Sequence, residues 1–194
     1  NLFMKFGQSG PVTVVALETD AFNLGQIKLP VLGQSINGIL NGDISLKTNS
    51  ANFAETKGTV RLTGAGIKTP AILVNNTMLG PPFQIPELEA GDLDIKMGFS
   101  DGVMTISNFK LGNQKTDLSG TLSGEAKLGA TSDQTQINLT LRLVFSSKIL
   151  DNPEYKTFLD FLGAYRTATA GEYAMNWNTT IAALLNNPLP SPLR

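Results

Sequence analysis

Apolar and polar residues alternate along several stretches of the chain, which is the pattern of β-strands with one buried and one wet face. The clearest case is residues 137–146, where five apolar positions recur at every second residue. These positions are Ile137, Leu139, Leu141, Leu143 and Phe145. The same pattern predicts shorter strands over residues 12–17, 59–63, 92–99, 103–109 and 172–179.

A repeated stretch suggests that the β-structure is doubled. INGILNGDISLKT at 36–48 and LSGTLSGEAKLGA at 118–130 align without a gap, and a Phe-x-Leu-Gly motif precedes both. In each copy two glycines share the apolar face, where another backbone or side chain can approach closely; we expect them to mark a bend or bulge of a twisted sheet, with the approach of a ligand as the alternative. We expect a single domain over 1–194, with similar β-rich halves at about 22–68 and 109–150, connected through the Pro/Gly-rich segment 69–91.

Two local signals complete the predicted fold. Ser100-Asp101-Gly102 is typical of a tight turn and predicts a hairpin. Residues 152–166 predict an amphipathic helix, with Asn152 as N-cap and Pro153 at the first helical position. Its apolar side chains are Tyr155, Phe158, Leu159, Leu162 and Tyr165. The sequence therefore predicts a mainly β protein, a curved and twisted antiparallel sheet with one helix packed on it.

Composition disfavours more classes of function than any motif does. The 194 residues are 41% hydrophobic and 16% charged, as in a globular protein. The net charge is −1 without clustered cations, which disfavours nucleic-acid binding. Histidine and cysteine are absent, which removes the commonest general base and the thiolate nucleophile. The start Asn1-Leu2-Phe3 lacks an initiator Met, and we expect a signal or membrane anchor upstream of this piece.

Candidate chemistry is sparse. Ser146-Ser147-Lys148 resembles a serine–lysine nucleophile, but a strand end near Asp151 gives no sign that the lysine is desolvated. Asp92 and Asp94 share a face, with Glu87 and Glu89 just before them, but the spacing of a calcium loop is absent, and we expect a wet face with Lys96 as partner. We therefore expect no catalytic residue, no cofactor and no metal.

The predicted helix cannot cover two halves of a sheet. About 14 helical residues reach roughly 20 Å, so part of the apolar face is left for a ligand or a partner. The candidate groove residues are Leu118, Leu122, Leu139, Leu141 and Leu143. Tyr173, Met175 and Trp177 alternate on another strand as expected core residues, and Trp177 is also a candidate interface residue.

Several motifs resemble one known family. They are Leu40–Leu46, Thr56–Leu62, Ile106–Gly112, Asp117–Gly120, Gly171–Tyr173 and Trp177–Ala182. Over residues 36–188 this order is similar to component N of the bacterial type II secretion system (general secretion pathway protein N), and more distantly to AsmA-like periplasmic proteins. The resemblance implies a non-enzymatic periplasmic domain, anchored in the inner membrane by an N-terminal helix, that binds neighbouring subunits of the secretion machinery. The AsmA-like relatives imply an alternative, a lipid-binding or lipid-conducting apolar β-groove.

Overall fold

The structure, a computed structural model, describes residues 2–26, 35–74, 83–186 and 189–193. Twelve strands occur there: β1 (Leu2–Ser9), β2 (Val12–Asn23), β3 (Asn37–Asn49), β4 (Asn52–Thr69), β5 (Ile72–Val74), β6 (Phe83–Ile85), β7 (Leu88–Ser100), β8 (Val103–Leu111), β9 (Leu118–Lys127), β10 (Gln136–Phe145), β11 (Glu172–Thr180) and β12 (Ser191–Pro192). β5 and β6 pair only with each other, and the other ten form one antiparallel sheet.

Strand order in the large sheet follows chain order, β1-β2-β3-β4-β7-β8-β9-β10-β11-β12. The sheet curls without closing, and the prediction of a mainly β, curved antiparallel fold is confirmed. Both copies of the repeated stretch lie in this sheet. The copy at 36–48 occupies β3 and the residue before it, and the copy at 118–130 occupies β9 and the three residues after it. β5 and β6 lie within the segment 69–91, whose residues 75–82 are outside the described part of the chain.

Every predicted strand is present, and most extend beyond the predicted bounds. The largest extension is β4, which has 18 residues where the alternation predicted only 59–63. Its remaining residues include Gly58, Gly64 and Gly66, which interrupt the apolar pattern although the backbone continues to pair. β1 was not predicted at all. Phe3 lies on the face opposite Leu2, Met4 and Phe6. Both faces of the strand therefore carry apolar side chains, and the alternation that would predict a strand is hidden.

The predicted hairpin joins β7 to β8 through Asp101 and Gly102. Both residues have positive φ, 52° and 75°, and Ser100 pairs directly with Val103. Positive φ at both central residues is the signature of a type I′ turn, whose twist matches that of the flanking strands. Asp-Gly is a preferred pair for this turn, which explains why so short a signal predicted it correctly.

The predicted helix is present as short pieces. Helix α1 (Ser147–Leu150), a 3₁₀ turn (Pro153–Tyr155), helix α2 (Lys156–Phe161) and a second 3₁₀ turn (Leu162–Tyr165) together form what we call the helical segment, residues 147–165. Asn152 accepts a hydrogen bond from the backbone N–H of Glu154, as its predicted capping role requires. Gly163 lowers helix propensity in the last turn. A further helix, α3 (Ile181–Asn186), follows β11.

The second glycine of each repeat copy has the same structural role. A Cβ atom at Gly42 would lie 2.0 Å from the carbonyl oxygen of Arg61, and one at Gly124 would lie 2.0 Å from that of Asn138. Both glycines have positive φ, 145° and 129°. Each position therefore needs a residue without a side chain, because the neighbouring strand approaches too closely for any other. In both copies the second glycine thus permits a close approach of the neighbouring backbone.

Candidate functional site: an apolar inner face

Cross-strand pairing places one nearly unbroken row of apolar side chains on a single face of the sheet, which we call the inner face. The row passes from β1 to β11 in strand order: Met4, Leu17, Ile44, Val60, Met97, Ile106, Gly124, Leu139 and Trp177. Each neighbour in the row is a register partner on the next strand. Side chains of register partners touch and shield one another, so the row is a continuous apolar surface.

The opposite face, the outer face, is polar at the adjacent register. Its row reads Lys5, Ala16, Ser45, Thr59, Gly98, Thr105, Glu125, Asn138 and Asn178. Except for Ala16 and Gly98, these residues are polar or charged. The two faces of one sheet thus differ sharply in chemistry, and only the inner face needs cover from water.

The helical segment covers one end of the inner face. It packs where β7, β9 and β11 begin and where β8 and β10 end. The buried cluster there combines strand-end residues with helical ones: Leu88, Leu118, Phe145, Tyr173, Met175, Ile149, Tyr155, Phe158, Leu159 and Leu162. Phe145 lies at its centre, edge-on to Phe158 at 5.6 Å and to Tyr173 at 5.4 Å between ring centroids. The predicted packing of an amphipathic helical stretch on the sheet is confirmed.

Polar contacts fix the helical segment at this end. Asp117 is buried, accepts a hydrogen bond from Lys148 Nζ at 2.8 Å and another from the backbone N–H of Glu89 at 3.0 Å. Burial pushes the Asp117 pKa upward, but these two hydrogen bonds outweigh it and the pKa is lowered. The Tyr155 hydroxyl donates to the carbonyl oxygen of Glu87 at 3.0 Å, and burial raises its pKa. The cover is therefore joined to β7 and to the loop before β9.

Away from this end, the described helices leave the inner face open. Val60 on β4 is only 6% exposed. The main contacts of β4 are with its neighbouring strands β3 and β7, and not with the helical segment. Its low exposure is consistent with an inner face that lies inside the curl, where side chains of neighbouring strands lean together. At the β1 end the shielding stops, and Met4 and Phe6 are 66% and 63% exposed. Along the described part of the row, exposure is thus high at β1, intermediate at Leu17 and Ile44, and low at Val60, so the open part of the inner face lies at β1 to β3.

The residues predicted to line a groove all lie on the inner face, in two environments. Leu118 is buried in the cluster, and Leu141, Leu143 and Trp177 pack against it beneath the helical segment. Leu122 and Leu139 are half-buried on β9 and β10, outside that cluster.

Sequence reasoning did not name the residues of the open part as groove residues. On β1 to β3 they include Met4, Phe6 and Ile44. For Ile44 the signal was available, since it lies in the first repeat copy and alternates with polar residues. For β1 the mixed pattern concealed it.

The serine–lysine cluster does not have the geometry of a nucleophile and its base. Lys148 is ion-paired with Asp117, which raises the lysine pKa and keeps it protonated, whereas a base must be neutral. The Ser146 hydroxyl has no hydrogen-bond partner among the described residues.

The carboxylates near β7 do not converge on a cation. Asp94 lies 4.0 Å from Lys96, the partner that the sequence predicted, and Glu89 lies 3.8 Å from Lys68. In the described ranges no three acidic residues are grouped closely enough to hold a metal ion.

A cavity of about 400 Å³ is present on the outer face, lined among others by Lys110, Thr121, Arg142 and Glu172. Arg142 lies 3.4 Å from the Glu172 carboxylate, so its charge is already partly neutralised. This cavity is separated from the inner face by the sheet itself.

No family model, no curated protein and no solved structure matches this chain. Among the helices that the structure describes, none has the length and apolar character needed to cross a lipid bilayer. The protein is therefore defined by its architecture, a curled open antiparallel sheet with an apolar inner face covered at one end.

Proposed function

We propose that this protein binds lipid acyl chains along the open part of its inner face. The observation that carries the proposal is the apolar row from Met4 to Trp177, which the helical segment covers at one end only. Nine strands at about 4.8 Å spacing give this row a length of roughly 38 Å on the flattened sheet. This length is that of the whole row, including the covered end at Trp177, and an elongated apolar surface matches an extended hydrocarbon chain better than a compact ligand.

The chemistry of the row agrees with that ligand. The row contains no charged residue. It ends at Met4, which has a flexible side chain, and at Trp177, which has an amphipathic one. Each buried methylene contributes about 0.8 kcal/mol, so ten of them supply about 8 kcal/mol before the cost of association. Binding of this kind needs area and few directed hydrogen bonds. A charged headgroup would remain outside the curl, in water.

Photo-crosslinking at two adjacent residues tests the proposal. Ile44 lies on the open inner face and Ser45 on the outer face of the same strand, so the two positions differ in direction and little else. With a photoreactive residue at each position in turn, we expect lipid adducts at 44 and none at 45, identified by mass spectrometry of the protein recovered from cells. Circular dichroism of both variants controls for folding. Absence of lipid at 44 in a folded variant, or equal adducts at both positions, would contradict the proposal.

A second candidate function is a non-catalytic subunit of the type II secretion machinery on the periplasmic side of the inner membrane. The resemblance to component N supports it, and so does the apolar surface at the C-terminal end. Leu185 on α3 is 78% exposed and Leu189 is 47% exposed, and a cavity of about 260 Å³ lies between Trp177 and Leu189. The cavity combines Trp177 and Leu189 with polar residues such as Asn176 and Ser191, and an aromatic side chain among polar ones is typical of a protein interface.

Crosslinking from this surface separates the second candidate from the first. A photoreactive residue at Leu185 is expected to capture a neighbouring secretion subunit in intact envelopes, and one at Glu125 on the outer face of β9 is expected to capture none. A folded 185 variant that yields no secretion subunit would reject this candidate. The lipid proposal is unaffected by that result, because it depends on the 44 and 45 positions.

A further inference from the structure

We propose that the cavity of about 400 Å³ on the outer face binds a phosphate group, held by Lys110 and Arg142 from two sides and by the Thr121 hydroxyl between them. The cavity lies on the face opposite the apolar row. The inference is therefore independent of the ligand of the inner face. The phosphate belongs either to a small soluble molecule or to a phospholipid headgroup, and the experiments separate these two sources.

Strand register brings the three side chains together. Thr121 on β9 pairs with Lys110 on β8 and with Arg142 on β10. The two cations therefore flank the hydroxyl in one row, with their Cα atoms about 9.6 Å apart, which is two strand spacings. Lysine and arginine form charge-assisted hydrogen bonds with phosphate, and a threonine hydroxyl adds a neutral donor. A phosphate above Thr121 would be within reach of both long side chains.

A β-bulge places Lys110 in this row. Ile106 pairs with Gly124, whereas Lys110, four residues later in β8, pairs with Thr121, only three residues away from Gly124 in β9. Because Ile106 is on the inner face, strict alternation would place Lys110 there as well. The one extra residue in β8 instead turns Lys110 to the outer face and Leu111 to the inner face. Bulges re-aim side chains in this way and are frequent beside functional sites.

The charge of Lys110 is not compensated by a neighbour. Its register partner on the other side is Asp94, but the Asp94 carboxylate is paired with Lys96 at 4.0 Å. Among the residues that the structure describes, no carboxylate lies within 4.0 Å of the Lys110 ammonium group. A phosphate in the cavity would supply the missing negative charge.

Arg142 keeps donors for a ligand although it contacts Glu172. One of its terminal nitrogens lies 3.4 Å from the Glu172 carboxylate, and a guanidinium group has five N–H donors. Glu172 also accepts a hydrogen bond from the Thr167 hydroxyl at 2.6 Å, which is the main cause of its lowered pKa. Its negative charge is therefore stabilised without Arg142. Two cations and one carboxylate line the cavity, so its net charge is positive.

The loop after β8 forms one wall of the cavity and is fixed by its own hydrogen bonds. It contributes Asn113 and Gln114 to the lining. The Gly112 N–H donates to the Asp92 carbonyl at 2.7 Å, and the Asn113 N–H donates to the Thr116 hydroxyl at 3.0 Å. A wall that is already ordered reduces the entropy lost when a ligand binds.

Titration with inorganic phosphate at constant ionic strength, followed through the amide NMR signals of residues 110–121, tests the site. We expect saturable shifts with a dissociation constant of about 1 mM or lower. Lys110→Gln and Arg142→Gln should each raise this constant at least about tenfold, because each removes a charged hydrogen-bond partner. Arg61→Gln is the matched control, since Arg61 is an exposed arginine on the outer face of β4 and does not line the cavity.

Thr121→Val distinguishes a built site from general attraction to positive charge. It removes the hydroxyl without changing the net charge, and we expect about a three- to tenfold weaker affinity for phosphate. Circular dichroism verifies that each variant folds. Shifts that do not saturate, an equal loss in Arg61→Gln and Arg142→Gln, or an unchanged affinity in Thr121→Val would overturn the proposal.

Two phosphate probes identify the source. If the natural ligand is soluble, glycerol 3-phosphate should bind more tightly than inorganic phosphate, and Arg142→Gln should weaken it. If the ligand is a headgroup, the protein should float with phosphatidylcholine vesicles that contain phosphatidic acid, and Arg142→Gln should reduce this flotation. Either result supports the site. Flotation that is the same in Arg142→Gln, together with no binding of glycerol 3-phosphate, would reject it.

Discussion

Replacing Gly124 with alanine is expected to destabilise the folded protein by about 3–5 kcal/mol, far more than one methyl group normally costs. The new Cβ atom would lie 2.0 Å from the Asn138 carbonyl oxygen and 3.0 Å from the Leu139 Cα atom. Carbon–oxygen contacts below 3.0 Å are essentially never seen for Cβ atoms, so β9 and β10 would separate by about 1 Å there. We expect the distortion to be confined to the place where β9 and β10 pair at Gly124 and Leu139.

The magnitude is the sum of two effects. Separating β9 from β10 breaks about two ladder hydrogen bonds, each worth about 1 kcal/mol. The φ of Gly124 is 129°, and holding an L-residue in a sparsely populated region costs about 1–3 kcal/mol. Gly42 has the same geometry against Arg61, so Gly42→Ala is expected to cost a similar amount.

Urea unfolding followed by circular dichroism measures these changes, with Gly98→Ala as the matched control. Gly98 lies in β7 without a positive φ, and a Cβ atom there would have no other atom within 4 Å. That substitution should change the free energy of unfolding by at most about 0.5–1 kcal/mol, in the stabilising direction if at all. Equal effects of Gly98→Ala and Gly124→Ala would refute the close-approach argument.

Two further predictions concern the covered end of the inner face. Phe145→Ala is expected to lower the free energy of unfolding by about 3–5 kcal/mol, because it empties the centre of a buried aromatic cluster, whereas Leu185→Ala should change it by less than about 0.5 kcal/mol. Asp117→Asn should cost about 1–3 kcal/mol at neutral pH. Because the Asp117 pKa is lowered on folding, its stabilisation is present above the unfolded value of about 3.9 and is lost as the pH falls through the folded value. The unfolding free energies of the two proteins should therefore converge as the pH falls below about 3.9, and a gap that stays constant there would contradict the assigned ion pair.

Much of the sheet could be predicted because one of its faces is buried and the other is wet. The strict alternation from Ile137 to Phe145 fixes both the strand and the direction of its side chains. Asp101 and Gly102 likewise specify their turn locally, since they tolerate positive φ. In these places the physical cause of the structure lies within a few residues of sequence.

Elsewhere the cause lies on a neighbouring strand and cannot be read locally. β1 has apolar side chains on both faces, and its partner β2 sets its conformation. The repeat suggested that Gly42 and Gly124 were special, but only the positions of Arg61 and Asn138 explain why. Which part of the inner face stays open likewise depends on where the helical segment packs, and no period in the sequence encodes that. The open surface was therefore expected from the length of one helix, but it could not be located.

The strand order of the large sheet also bears on how such a protein folds and how its length can change. Because β2 to β4 and β8 to β12 each pair with the strand before them in the chain, and β7 pairs with β4 after the separate β5–β6 hairpin, the sheet can grow by successive additions without long-range threading. Local pairing of this kind lowers the loop-closure entropy lost at each step. It also means that a duplicated hairpin can be inserted without rearranging any other connection. A tandem duplication in the gene would then widen the sheet and leave the existing strand pairs in place.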